Sequence, residues 1–175
     1  MGVQTVMLAA TNFGSKVLNL PSTNLIITVV LIQLVAILGA FVMSRLSGKF
    51  GNLPVLIGVV FFWIIICIAG YLMVTAMHFY LLAIAVGLVM GGIQSLSRST
   101  YSKLMPVTKD TASFFSFYDI TEKISIVIGL SLFGYIEEYT GSMRNSVLAL
   151  IVFFALGLIL LFIALKKNRA GKSSI

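Results

Sequence analysis

Polar and apolar positions in this chain fall into long blocks. Val17 to Ser44 holds no Lys, Arg, Asp or Glu, and neither does Phe50 to Ser97, a run of 48 residues. Asn145 to Leu165 is another such run. A bilayer-spanning helix needs about 20 apolar residues, so the longest block holds two. Proline and polar punctuation divide the blocks. Pro21 ends the first segment and Pro106 the fourth, while Pro54 suits the first turn of the third. The pattern predicts helices over about 2–20, 22–46, 54–77, 79–105, 111–139 and 142–165, followed by a basic tail over 168–175. Ser22 or Asn24 offers the second helix an N-cap. The expected fold class is all-α integral membrane, with 1–167 forming a six-helix transmembrane bundle.

Composition supports this reading. The chain is 59% hydrophobic, only 10% charged and has a mean hydropathy of +1.10, whereas soluble domains carry about 25% charged residues. Twelve Lys and Arg against five Asp and Glu give a net charge of +7. No basic face with interleaved aromatics is present, so a nucleic-acid partner is not expected. The single cysteine, Cys67, sits in "FFWIIICIAG", without a disulfide partner or metal-ligand spacing, and reads as a small buried hydrophobe. The N-terminus has neither the basic start nor the small-residue cleavage site of a signal peptide.

The basic residues sort by side. Arg45, Lys49, Arg98, Lys103, Lys109, Lys166, Lys167, Arg169 and Lys172 fall at one end of the expected bundle, and Lys16 and Arg144 at the other. The positive-inside rule places the rich end, and with it the C-terminus, in the cytoplasm. A bacterial inner (plasma) membrane is the expected location. The third and sixth helices carry almost no polar side chains, which suits lipid. The others carry Gln4, Asn12, Gln33, Gln94, Arg98, Asp119, Glu122 and Lys123 and read as inward-facing.

The most costly stretch is "FFSFYDITEKISIVIG", residues 114–129, where Asp119, Glu122 and Lys123 interrupt an apolar helix. At 100° per residue the three share about a 100° wedge. Asp119 and Lys123 are spaced as an i,i+4 acid-to-base pair. Arg98, in "GGIQSLSRST", lies about 12 Å from its helix end, at the expected depth of Asp119. A charge in mid-bilayer costs several kcal/mol unless it is paired or meets water, so Arg98 should pair with Asp119 or Glu122. These ions form either a structural clamp between helices or a substrate site or gate. Lys123, the deepest, favours the functional role. Gln94, one turn from Arg98, and Gln33 either bond other helices or line a cavity. Gly87 and Gly91 form a G-x-x-x-G, followed by Gly92, which predicts close helix packing. His78, at an outer turn, reads as solvated, and Tyr101 and Tyr139 suit an interfacial belt. No catalytic constellation, cofactor motif or metal cluster is present, so neither an enzyme nor a cofactor is expected.

Three stretches, "GLVMGGIQSLSRSTYSKLMP", "SFFSFYDITEKISIVIG" and "GSMRNSVLALIVFFALGLILL", resemble the C-terminal half of the vacuole-effluxer-like (autophagy-related) family of the major facilitator superfamily. The opening "GVQTVMLAATNFGSK" resembles that family's seventh helix. The resemblance covers nearly the whole chain and maps the six helices onto helices seven to twelve. It implies that seven and ten line a central cavity, that eight and eleven face the other half, and that nine and twelve face lipid. It matches Lys123 to a helix-eleven lysine. The loop "MSRLSGKFG" resembles the superfamily's G-x-L-x-D-R-x-G motif but has Ser44 for a glycine and Gly48 for the aspartate. The charge lock that this aspartate serves is therefore not expected here.

The reading that follows is a C-terminal half of a secondary transporter of small solutes, amino acids among them, working by alternating access against a missing N-terminal six-helix half. Candidate substrate or gate residues are Lys123, Gln94, Arg98, Gln33, Asp119, Glu122 and Asn12. The alternatives are a small six-helix membrane subunit, such as the substrate-binding component of an energy-coupling transporter, and a non-transporting scaffold.

Overall fold

The computed structural model describes residues 3, 6, 10, 12, 14–16, 20–106 and 110–172, with side chains to 167. Gln4, Lys109 and the side chains of Arg169 and Lys172 lie outside the described residues. Those described between 3 and 16 are helical. Five helices follow: α1 (Ser22–Phe50), α2 (Asn52–Leu72), α3 (Ala76–Leu104), α4 (Thr111–Thr140) and α5 (Met143–Lys172). No strand occurs among the described residues. Among the described residues, four helices are long and apolar enough to cross a membrane: α1, α2, α3 and α5 over Met143–Lys167. At 30 residues α4 is as long as any, but it carries Asp119, Glu122, Lys123, Glu137 and Glu138. The all-helical membrane class therefore holds, with four of the described helices meeting the apolar criterion; most of the first expected helix, 2–20, lies outside the described residues.

Several helix ends differ from the sequence reading, each for a local reason. Pro21 caps α1, its carbonyl accepting the N–H groups of Asn24 (2.9 Å) and Leu25 (3.3 Å), and neither Ser22 nor Asn24 caps with a side chain. α1 runs on to Phe50 because nothing before Gly51 breaks it. Gly51 alone joins α1 to α2, at φ 85° and ψ 157°, a backbone conformation essentially confined to glycine. α2 starts at Asn52, so Pro54 is its third residue, still in the first turn where a missing N–H costs nothing. α3 starts at Ala76, capped by the Thr75 hydroxyl, which accepts from the His78 N–H. α4 ends at Gly141 in the left-handed region, φ 63°. α5 continues to Lys172, into the stretch expected as a tail. Its Lys, Asn, Arg and Ala residues do not terminate a helix.

Asp110 caps α4. Its carboxylate accepts from the Ser113 hydroxyl (2.7 Å) and the Ser113 N–H (3.3 Å), which together hold its pKa below the usual value of 3.8. A depressed carboxylate pKa contributes stability that is present above the unfolded value and is lost as pH falls through the folded one. Melting of the chain between pH 5 and 2 should therefore show a loss that Asp110→Asn, which keeps a capping oxygen, reduces.

Packing is tightest between α1 and α3. A Cβ built on Gly39 would land on the Leu88 carbonyl, and one on Gly91 would land on the Ala36 carbonyl. One on Gly87 would lie 2.8 Å from the Ile32 oxygen. The helices touch backbone to backbone, as small residues at a membrane helix interface allow. On the other side, α2 packs on α5 through Trp63 stacked on Phe154, centroids 5.4 Å apart. Leu150 and Cys67 are buried there, confirming Cys67 as a core residue. Arg144 donates to the Met73 carbonyl at 2.9 Å, tying the start of α5 to the end of α2. α4 is the loosest helix, burying only Gly129 and Phe133.

Candidate functional site

The charged wedge of α4 meets α3 near the Lys/Arg-rich end of the bundle. α3 and α4 are consecutive, with residues 105–110 between them, and Arg98, two turns before the end of α3, comes level with Asp119, two turns into α4. Arg98 Nη2 pairs with Asp119 Oδ1 at 2.5 Å. Of the two carboxylates open to Arg98 in the sequence reading, the structure selects Asp119. The i,i+4 pair of Asp119 with Lys123 is not formed, because the longer Arg98 side chain reaches across from α3 and takes the carboxylate. The Arg98 guanidinium also lies 5.8 Å from the Tyr118 ring centroid.

Aromatic and hydroxyl groups complete this contact. Ser97 Oγ and Tyr118 Oη are 2.8 Å apart, and Tyr101 Oη donates to the Phe114 carbonyl at 3.0 Å. The Tyr101 ring packs on Phe115 and Tyr118 at 5.9 and 5.0 Å. α3 and α4 are thus joined by side chains at one end. Tyr101, expected at an interfacial belt, also serves as a link between helices. Tyr118 and Ser97 were missed by sequence reasoning. Their spacing was the available signal, since each is adjacent to a member of the ion pair.

The remaining candidates lie on open faces. Lys123 is exposed and Glu122 half-buried, and neither pairs or hydrogen-bonds with a described residue. Gln94 is exposed one turn from Arg98. Gln33 is exposed on α1, and Asn12 is exposed near the N-terminus, far along the chain from the wedge. Gln33 and Asn12 make no side-chain hydrogen bond to a described residue. At the opposite end of α4, Glu137 pairs with Lys16 at 2.9 Å. α4 therefore runs the full height of the bundle and is pinned by an ion pair at each end. His78 is exposed, in keeping with a solvated role.

The Arg98 and Asp119 side chains are 57% and 50% exposed. Where water reaches it, such a pair contributes at most about 1 kcal/mol, which makes it a weak clamp. Arg98→Ala should lower the melting temperature of the chain in detergent only slightly. The exchange Arg98→Asp with Asp119→Arg should restore the wild-type value, whereas a large loss in Arg98→Ala would show a structural keystone.

Close to this site the "SRLSGKFG" segment, expected as a loop but helical as far as Phe50, has no aspartate to accept a charge. Asn52 stands in the gap: its Oδ1 accepts from Lys103 Nζ (2.9 Å) and Ser47 Oγ (3.2 Å), and its Nδ2 donates to Ser99 Oγ (2.9 Å). Arg45 instead stacks over Phe41, 4.4 Å from the ring centroid. A neutral amide thus joins α1, α2 and α3.

The family described as "Vacuole effluxer Atg22 like" matches residues 1–173. The MFS-type transporter YxiO of Bacillus subtilis, itself uncharacterized, is 34% identical over 161 residues, covering 91% of this chain and 37% of that protein. Autophagy-related protein 22 of Eremothecium gossypii is 30% identical, covering 86% of this chain and 32% of its own length. The Saccharomyces cerevisiae protein of the same name is 31% identical, covering 82% and 29%. No solved structure matches the chain. The chain spans about a third of the length of the curated relatives it matches. With an apolar multi-pass helical fold and a family match along nearly its whole length, this chain belongs to the vacuole effluxer Atg22-like family of MFS-type membrane proteins.

Proposed function

We propose that this chain forms the C-terminal six-helix half of a secondary transporter of small solutes, amino acids among them. It works by rocking against an N-terminal half around a site near the midplane. The observation that carries this reading is the open polar face on α3 and α4. Gln94, Arg98, Glu122 and Lys123 lie half-buried or exposed within an otherwise apolar bundle. Ionisable side chains are not left facing lipid, so this face meets water, solute or another protein surface. α4, which we read as a fifth of six spans, is held by few buried contacts and two exposed ion pairs, as a moving wall requires. The pair Arg98–Asp119 serves as a gate at the Lys/Arg-rich end, and Lys123 contacts solute.

The bare apolar faces of α1, with Ile26, Val30, Leu34 and Ile37, and of α4, with Phe117, Ile120, Ile124 and Val127, suit contact with the second half. The nine-to-two distribution of Lys and Arg supports a cytoplasmic C-terminus in a bacterial inner membrane. An immunoblot of source membranes against the basic tail tests the half-transporter reading. The expected product is about twice this length or more. A product of 19.0 kDa would overturn it and favour a self-sufficient small subunit.

A further inference from the structure

The carboxylate side chains of the protein are Asp110, Asp119, Glu122, Glu137 and Glu138. Asp110 caps α4 through Ser113, Asp119 pairs with Arg98, and Glu137 pairs with Lys16. Glu138 is exposed two residues from the end of α4. Glu122 is placed differently. On the reading of α4 as a span it lies about 16 Å from the helix start, near the middle of a ~30 Å core. It is half-buried and makes no ion pair or hydrogen bond with a described residue.

Among the described residues no cation neutralises Glu122. Tyr118 and Asp119, one turn nearer the helix start, share its side of α4, and both are engaged, with Ser97 and Arg98. From α3 the titratable groups on that side are Arg98, taken by Asp119, and Tyr101, which donates to the Phe114 carbonyl. α5, on which α4 also packs, has no titratable side chain between Arg144 and Lys166. Residues 2–20 hold one charge, Lys16, which pairs with Glu137. Lys123 is the next residue along α4, so its side chain leaves the helix about 100° away and does not face Glu122.

Away from water and without a partner, a carboxylate is costly as an anion and much less so as a neutral acid. A proton converts one form into the other. It comes from a hydronium ion, leaving water, and returns to water on the far side; only O–H bonds form and break. Lys123 supplies the coupling. An anionic group of the solute on Lys123 adds a negative charge beside Glu122, and a proton on Glu122 removes one. Each event favours the other, and by linkage to the same extent. We infer that Glu122 is the proton carrier of this transporter, taking up a proton as an anionic group of the solute settles on Lys123, so that proton and solute cross together. The inference rests on the proposed function, in which Lys123 contacts solute. Asp119 does not fill this role, because Arg98 holds its carboxylate.

The test uses the complete transporter in sealed vesicles and two readouts with labelled amino acids. Counterflow at equal pH on both sides reports the solute path alone. Accumulation driven by a pH step, acid outside, reports coupling to protons. The wild type should show both. Glu122→Gln keeps the shape of the side chain but cannot take up a proton, so it should retain counterflow and lose accumulation to the level of empty vesicles. Glu122→Asp should keep both, as should Glu138→Gln at the helix end. Accumulation that survives in Glu122→Gln overturns the inference, as does wild-type accumulation that follows a sodium gradient and ignores the pH step. Loss of counterflow together with accumulation in an inserted Glu122→Gln protein also overturns it, because Glu122 then binds solute instead of a proton. Absence of counterflow in the wild type fails the transporter reading itself, and the inference with it.

Discussion

Replacing Gly91 with leucine is expected to leave no folded, monodisperse chain. The position is in mid-α3, and a Cβ there meets the Ala36 backbone rather than a movable side chain. Gly39 makes the reciprocal approach from α1 to the Leu88 backbone. α1 and α3 are therefore in backbone contact at two places, with Gly87 against the Ile32 oxygen as a third. Overpacking a core costs about 1–3 kcal/mol when side chains can shift. Here the helices themselves must separate, so the expected loss exceeds ~3 kcal/mol. Size-exclusion chromatography in detergent should show aggregate for Gly91→Leu. Gly134→Ala, where a Cβ meets nothing, should elute as the wild type does. A well-behaved Gly91→Leu chain would mean that α1 and α3 are not in contact at this register.

Lys123→Ala in the complete transporter is expected to abolish transport while leaving membrane insertion intact. On the proposed reading of α4 as a membrane span, Lys123 lies about 18 Å along it from its start, near the middle of a ~30 Å core; it is exposed and without a partner among the described residues. Removing a charge from that depth eases insertion, because a lysine at a helix centre costs about 2.5–3.5 kcal/mol on insertion scales. On the proposal that Lys123 contacts solute, the loss is one charged hydrogen bond, about 1.5–3 kcal/mol, or roughly ten- to a hundredfold in flux. Counterflow of labelled amino acids in reconstituted vesicles measures this, with the amount of inserted protein checked on the same vesicles. Undiminished flux would remove Lys123 from the solute path.

The parts of this structure that were legible in the sequence are those governed by local rules. Uninterrupted apolar runs placed α1, α2, α3 and α5; Pro21 lies at the start of α1 and Pro106 just beyond the end of α3. The G-x-x-x-G of Gly87 and Gly91 marked the close face of α3. Its partner Gly39 was not found, although Ala36, Gly39 and Ala40 form a small-residue cluster on α1 that carried the same signal. Depth arithmetic from helix ends brought Arg98 level with Asp119, and the structure pairs them. The choice between Asp119 and Glu122, and the loss of the Asp119–Lys123 pair, depended on the rotation of α4 against α3, which no residue spacing encodes. The Asn52 network was invisible for a related reason: Ser47, Asn52, Ser99 and Lys103 belong to three helices and meet only through the one-residue turn at Gly51. A single asparagine at the start of a helix reads as a cap until the neighbouring helix is in place.

The most direct test of the account is whether water reaches the charged face of α4. Lys123→Cys in the complete transporter, reconstituted in vesicles, would be treated with a membrane-impermeant maleimide from each side in turn. The native Cys67 is buried at 1% exposure and supplies no competing label. An alternating-access path predicts labelling from both sides. A cysteine at Phe162, on the exposed apolar face of α5, should stay unlabelled. Protection of position 123 from both sides, matching position 162, would contradict the proposal that this face lines a transport path.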